Sequence, residues 1–316
     1  MNASTINRKQ NYLAILGLLF GAMCWGIIWY PYRLMAEAGV SGIVSSFYTY
    51  SIAIILGALL FARNWRGVLA MPKSVIWLSL AAGWTNLSYV LAVIDGEVMR
   101  VMLLFYLSPL WTLILARFWL KESISKLGFG SIAIAMMGAY IMLADPFNHQ
   151  STFLPLPQNQ SEWLALSAGI GFSITNVITR KSVHLSLQAK SMLVWCGVVI
   201  MSILIPFIGL LSTKPNGLAQ SIFTHSAAFT HPDFFTLTNW LIMGLTALLL
   251  IAATIFTQYG VTKIAATRAS VIFLFELIVA AVASYYLANE TMALNEWIGG
   301  GFIIAAGLVA AFNHRD

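Results

Sequence analysis

Residues 100–122 read RVMLLFYLSPLWTLILARFWLKE, and residues 268–290 read RASVIFLFELIVAAVASYYLANE. A shift of 168 positions lays one on the other, with Arg100 over Arg268, Phe105 over Phe273 and Glu122 over Glu290. Phenylalanine over phenylalanine carries little weight in apolar sequence, but two matched charges in a chain that is only 9% charged do. Each copy is an apolar run framed by one arginine and one glutamate, close to the ~20 residues a helix needs to cross the hydrocarbon of a bilayer. The duplicated unit is therefore expected to be a membrane helix inside a duplicated membrane domain.

Composition agrees. Of the 316 residues 59% are hydrophobic and the mean hydropathy is +0.83, whereas soluble domains carry about 25% charged residues. A net charge of +6 points to nucleic acid only where Lys and Arg gather on one face; here they lie between apolar runs, so no nucleic-acid partner is expected. Cys24 and Cys196 both sit in apolar runs and read as packing residues rather than a disulfide or reactive thiols. Arg8 and Lys9 precede a run too long for a signal peptide, with no small-residue cleavage site after it.

Windows of crossing length fall at 12–34, 43–62, 74–94, 98–119, 127–144, 163–179, 190–211, 238–259, 265–288 and 297–312. A polar, proline-bearing stretch divides them, giving 1–145 as one unit, 146–162 as a periplasmic linker and 163–316 as the other. With the N-terminus inside, 14 of the 17 basic residues fall on inner segments, and only Arg33, Arg100 and Lys214 fall outside. Such a partition fits a multi-pass protein with both termini cytoplasmic. Five helices per unit is an odd number, so the second copy enters the membrane from the opposite side. The expected fold is all-α integral membrane, ten transmembrane helices as two inverted-topology five-helix repeats, the plan of carriers that expose a midplane site alternately to each side. Fainter matches support it: FGAMCWGIIWYPYRL at 20–34 lies over SAGIGFSITNVITRK at 167–181, placing Arg33 over Arg180, and Gly130 and Gly138 mirror Gly299 and Gly307.

The Trp25-Gly26 step, the pattern YLSPLWTLILARFWLKE with Pro109 thirteen residues before Glu122, the glycine-bearing helix after it and the repetition of the whole unit resemble the EamA domains of the drug/metabolite transporter superfamily. The likeness covers about 12–145 and 161–312. Among its members the chain is most similar to the bacterial aromatic amino-acid exporters of the YddG type. The resemblance implies a carrier of the bacterial inner membrane that works as a monomer and exports aromatic or other neutral amino acids and related small molecules through a central cavity. Its partners would be that small-molecule substrate and the lipid bilayer. The second copy departs from the pattern, with Glu276 and Leu277 under Ser108 and Pro109, so symmetric gating is not implied.

Polar groups in a bilayer must face protein or water, so they are the first binding candidates. Glu276 is the one carboxylate well inside a span. It reads equally as a site for an amino group or a proton, or as a group bonding across helices. Ser108 is its repeat mate, and Pro109 marks a bend, with Pro31 a second hinge candidate. Trp84, Asn86 and Tyr89 in the third span and Gln258 in the eighth are cavity candidates, as are Trp25, Tyr48, Tyr106 and Trp111. Six tryptophans at helix ends, Trp65, Trp77, Trp119, Trp163, Trp240 and Trp297, read instead as an interfacial belt. No cofactor is expected. His225 and His231, six apart in a loop with Asp233 nearby, could hold a metal, but loop histidines without further convergent ligands usually do not, so no metal is expected either. No catalytic residues are assigned: phosphate loops, HExxH and converging Ser/His pairs are missing, which sets an integral-membrane enzyme behind a carrier. Within carriers, the rivals are cationic drugs or metabolites, which Glu276 suits, and nucleotide-sugars, which need a mid-helix Lys or Arg.

Overall fold

The computed structural model describes residues 3–61, 75–121, 126–144, 156–181, 185–211, 236–263 and 266–312. Among them every regular element is helical. In order these are α1 (Ala3–Ile27), α2 (Trp29–Glu37), α3 (Gly42–Leu60), α4 (Val75–Asp95), α5 (Val98–Phe105), α6 (Ser108–Leu115) and a π-helical turn (Ala116–Leu120). They continue with α7 (Lys126–Ala144), α8 (Gln160–Lys181), α9 (Leu187–Leu211), α10 (Leu237–Lys263), α11 (Ala266–Leu287) and α12 (Leu294–Phe312). Helices are what a chain this apolar must form, because hydrocarbon offers no partner to an unbonded backbone amide.

Among the described residues six segments are long and apolar enough to cross a membrane: Tyr12–Glu37, Gly42–Leu60, Val75–Asp95, Val98–Trp119, Gln188–Ile208 and Leu237–Thr257. Their mean hydropathies run from 1.3 to 2.4. The surface of the bundle is apolar as well. On α1, Leu16, Phe20, Met23 and Ile27 form an exposed stripe while Ala14, Leu18 and Ala22 face inward. On α10, Leu237, Leu241, Leu245 and Leu248 do the same opposite Met243, Ala247 and Leu250. Apolar side chains on the outward face as well as the inward one, with alanines among those inside, is the arrangement of helices packed together in lipid, and the protein is a multi-pass membrane protein.

Two spans expected as single helices, 12–34 and 98–119, are each broken. The first breaks at Ile28, whose amide closes a tight turn on the Trp25 carbonyl at 3.3 Å. The fourth breaks at Tyr106 and Leu107, where the Leu107 amide reaches the Leu104 carbonyl at 3.3 Å. In both, a proline, Pro31 or Pro109, falls in the first turn of the helix that follows. There its missing N–H has no helical acceptor to lose.

The sixth window starts earlier than its apolar run suggests. Asn159 accepts from the Glu162 amide at 2.9 Å and Glu162 reaches back to the Gln158 amide at 2.8 Å. This reciprocal cap starts α8 at Gln160.

Helices meet over small residues. A Cβ on Gly83 would strike the Gly197 backbone, joining α4 to α9. Gly138 and Gly299 do this reciprocally, each lying where a Cβ would stand 2.6 or 2.7 Å from the other's carbonyl. That contact joins α7 to α12. The interior holds two main apolar clusters, one around α4, α5, α6 and α12 and one around α2, α3, α9 and α10.

Candidate functional site

α11 carries Glu276 midway along its length, half-buried against three other elements. Gly26 of α1 lies so close that a Cβ there would stand 2.9 Å from the Glu276 carbonyl and from the Val279 side chain. Glycine at 26 is thus what lets the two backbones meet beside Glu276. From the break in the fourth span, the Tyr106 hydroxyl donates to the Phe273 carbonyl at 3.1 Å and lies beside the Glu276 carboxylate. Tyr89 of α4 lies within electrostatic reach of Glu276, its hydroxyl donating to the Met102 sulfur at 2.9 Å. Phe105 bridges the rings: Tyr89 lies edge-on at 5.5 Å, Tyr106 at 6.0 Å and Phe172 tilted at 5.4 Å.

The break is held open by α8. Pro109 has no amide to give the Phe105 carbonyl, and Gly169 brings the α8 backbone against that same carbonyl, with 2.9 Å left for a Cβ. The Ser173 hydroxyl donates to the Ser108 carbonyl at 2.7 Å. Behind the break a small cavity is lined by Tyr106, Leu107, Leu110, Ser131, Ala135, Ile303 and Ala306. Trp111, one turn on, buries its indole N–H without a hydrogen-bond partner, a donor of the kind that costs energy until something accepts from it. The arrangement offers a carboxylate for a cation or proton, phenols and an indole for hydrogen bonds, and ring faces for stacking.

The structure gathers Trp84, Tyr89, Tyr106 and Trp111 on one apolar cluster, with Ser108 and Glu276 beside them. It separates Trp25 and Tyr48, which pack on the other cluster; Tyr48 sets its ring edge-on to Trp240 at 5.2 Å. Asn86 already has partners, accepting from the Tyr50 hydroxyl at 2.9 Å and donating to the Ala82 carbonyl at 2.8 Å. Gln258 lies on α10 and Pro109 on α6, but both side chains lie outside the described residues, as do Glu122, His225, His231 and Asp233. Pro31 stands half-buried in the first turn of α2. Cys24 is buried, Cys196 half-buried and both are free. Among the described residues no three His, Cys, Asp or Glu side chains gather to hold a metal.

Sequence reasoning missed Phe105 as the hub of the ring cluster and Gly169 as the seat of its carbonyl. The signal available for Gly169 was its spacing of four from Ser173, which sets both on one helix face.

Comparison with known proteins bears on the whole chain. The model of the EamA-like transporter family matches residues 12–144 and 160–312. Protein RarD of Salmonella typhi and Protein RarD of Salmonella typhimurium are each 23% identical over 182 residues, 56% of this chain. The match spans 58% of the length of these relatives. One solved crystal structure shares the fold with a TM-score of 0.59 at 14% identity, covering 96% of this chain and 99% of that one. The helical architecture, the apolar surface and the match over both halves place the chain in the EamA-like transporter family, whose members are membrane carriers.

Proposed function

We propose that the protein is an inner-membrane carrier that exports amino acids, aromatic or otherwise neutral, by alternating access between two inverted five-helix repeats. What supports the reading most is the Glu276 carboxylate, set inside the bundle beside Tyr106 and within electrostatic reach of Tyr89, both from the other half of the chain. A carboxylate among ring faces is suited to an α-ammonium group attached to an aromatic side chain.

The packing pattern supports the repeat. Count α1 with α2, and α5 with α6, as single broken crossings, so that ten crossings result. Crossing 1 packs on 8, 3 on 6, 4 on 6, 1 on 9, 3 on 7, 2 on 8, 5 on 10 and 2 on 7. Exchanging each crossing with the one five later returns the same eight pairs, while the lighter contacts of 1 on 3, 2 on 3 and 4 on 10 have no equally close mate. The units are 1–145 and 163–316 with the linker 146–162 between them, and the basic residues orient both termini to the cytoplasm. The carrier acts as a monomer with no cofactor and no catalytic step.

Proteoliposomes loaded with radiolabelled phenylalanine test this directly. Efflux well above protein-free vesicles is expected, and no flux across a panel of neutral amino acids overturns it. Glu276→Gln is expected to lower flux at least tenfold if the carboxylate holds the ammonium group. Unchanged flux and unchanged pH dependence in that variant remove Glu276 from both substrate and proton binding. A second reading, a carrier for cationic drugs, draws on the same carboxylate; saturable efflux of an organic cation with none of phenylalanine would select it.

A further inference from the structure

At one end of the bundle two arginines from residues 3–121 are bonded to three glutamates from residues 156–312. Arg33 of α2 pairs with Glu290 at 2.8 Å, donates to the Val93 carbonyl at 2.7 Å and also to the Gly96 carbonyl, and lies over the Trp29 ring at 5.2 Å. Glu290 uses its other oxygen to accept from the Val98 amide at 2.8 Å, which starts α5. Arg100, on the next residues of α5, pairs with Glu162 at 2.6 Å and approaches Glu296 at 3.6 Å. Glu162 caps α8, and Glu296 caps α12 by accepting from the Ala293 amide at 2.9 Å. These groups form one connected layer. Gly96 leaves 2.7 Å between a Cβ and Ser161, so the backbones touch within it.

Exposed ion pairs contribute little, but these are shielded: Glu162 and Glu296 are 4% and 5% exposed, and neither arginine more than 20%. Removing one partner of a shielded pair strands the other charge, which is the costly event. Each pair also fastens a helix start on one side to a helix end or start on the other, so separating the two parts of the chain here must break both pairs at once.

We propose that Arg33–Glu290 and Arg100–Glu162–Glu296 form a two-point clasp that keeps this end of the path shut and must open when the site is exposed on this side. The proposal rests on the carrier reading. It assigns the arginines outside the membrane a gating role distinct from their part in setting orientation.

Spin labels at Ala38 and Trp163, both exposed at this end and one on each part of the chain, report the opening in a Cys24→Ser, Cys196→Ser background. Distances are measured by pulsed electron resonance without added substrate. The parent is expected to show one dominant short distance. Arg33→Gln and Arg100→Gln should each raise the long-distance fraction about tenfold, and the double variant more. Glu290→Gln keeps an acceptor for the Val98 amide and removes only the charge, so it carries the test if an arginine variant is not monodisperse. Identical distance distributions in the parent, Arg33→Gln, Arg100→Gln and Glu290→Gln overturn the clasp. Cross-linking Arg33→Cys to Glu290→Cys with a cleavable thiol reagent should cut phenylalanine flux more than tenfold, restored on reduction; undiminished flux when cross-linked also overturns it. Widened distances in a protein that moves no amino acid leave the clasp standing and overturn the substrate reading instead.

Discussion

Residues 100–122 and 268–290 share a frame of one arginine, one phenylalanine and one glutamate and fold differently. The first becomes two short helices and a π turn, parted at Tyr106 and Leu107, while the second runs as α11 without interruption from Ala266 to Leu287. The cause is local: Ser108 and Pro109 in one copy stand where Glu276 and Leu277 stand in the other. Proline withdraws an amide and exposes a carbonyl; leucine keeps the ladder intact, and the polar function moves to the glutamate side chain. The two copies thus place complementary chemistry at the same depth. One offers backbone carbonyls and a phenol, the other a carboxylate, and Tyr106 of the first reaches the Phe273 carbonyl and Glu276 of the second. Two adjacent residues thus separate a broken helix from an unbroken one in the two aligned stretches.

The comparison can be broken in order of cost. Leu277→Pro imposes the first copy's break on the second; Leu277 is buried and its amide lies inside α11, so a loss of about 3 kcal/mol or more is expected, read as a large fall in the melting temperature in detergent. Gly169→Val drives a side chain against the Phe105 carbonyl, where only 2.9 Å is free, and should cost about 1–3 kcal/mol. Gly130→Ala, with nothing within 4 Å, is the control and should be neutral or gain up to about 1 kcal/mol in the same assay. Pro109→Leu gives the first copy the second's ladder; its stability should shift by less than about 1 kcal/mol, while phenylalanine flux falls severalfold because the break closes. Ser173→Ala removes the bond to the Ser108 carbonyl and should cost about 0.6 kcal/mol. Equal stability of Leu277→Pro and the parent would show that the continuity of α11 has no bearing on the fold.

Much of this was open to reading from residue order. Helix positions follow from apolar run length, since a bilayer leaves the backbone no alternative, and the bend in the fourth span follows from Pro109. The break at Ile28 was only half legible, because Pro31 announces a hinge but not which residue before it yields. The grouping of aromatics was not legible. Which face a helix presents depends on its rotation within the bundle, so Trp25 and Tyr48 look equivalent to Trp84 and Trp111 in sequence yet join a different cluster. Asn86 looked free because its partner Tyr50 lies on another helix, 36 positions away. Gly26 was noticed as part of a pattern, while its physical reason, the Glu276 backbone at 2.9 Å from a Cβ, belongs to tertiary structure. Arg33 and Arg100 were countable as topological charges, but their acids stand 257 and 62 positions off.

The reciprocal contact of Gly138 with Gly299 gives the bundle a fulcrum. It does not sit at mid-length: on α12, five residues separate Gly299 from Leu294 at the clasp end and thirteen separate it from Phe312. At 1.5 Å per residue the arms are roughly 8 Å and 20 Å. A tilt about this point that parts the clasped end by one or two ångströms moves the far end more than twice as far. Were the proposed clasp to open by such a tilt, the glycine joint would act as a gearing, exchanging a short stroke where the arginines sit for a longer one at the far end of α12.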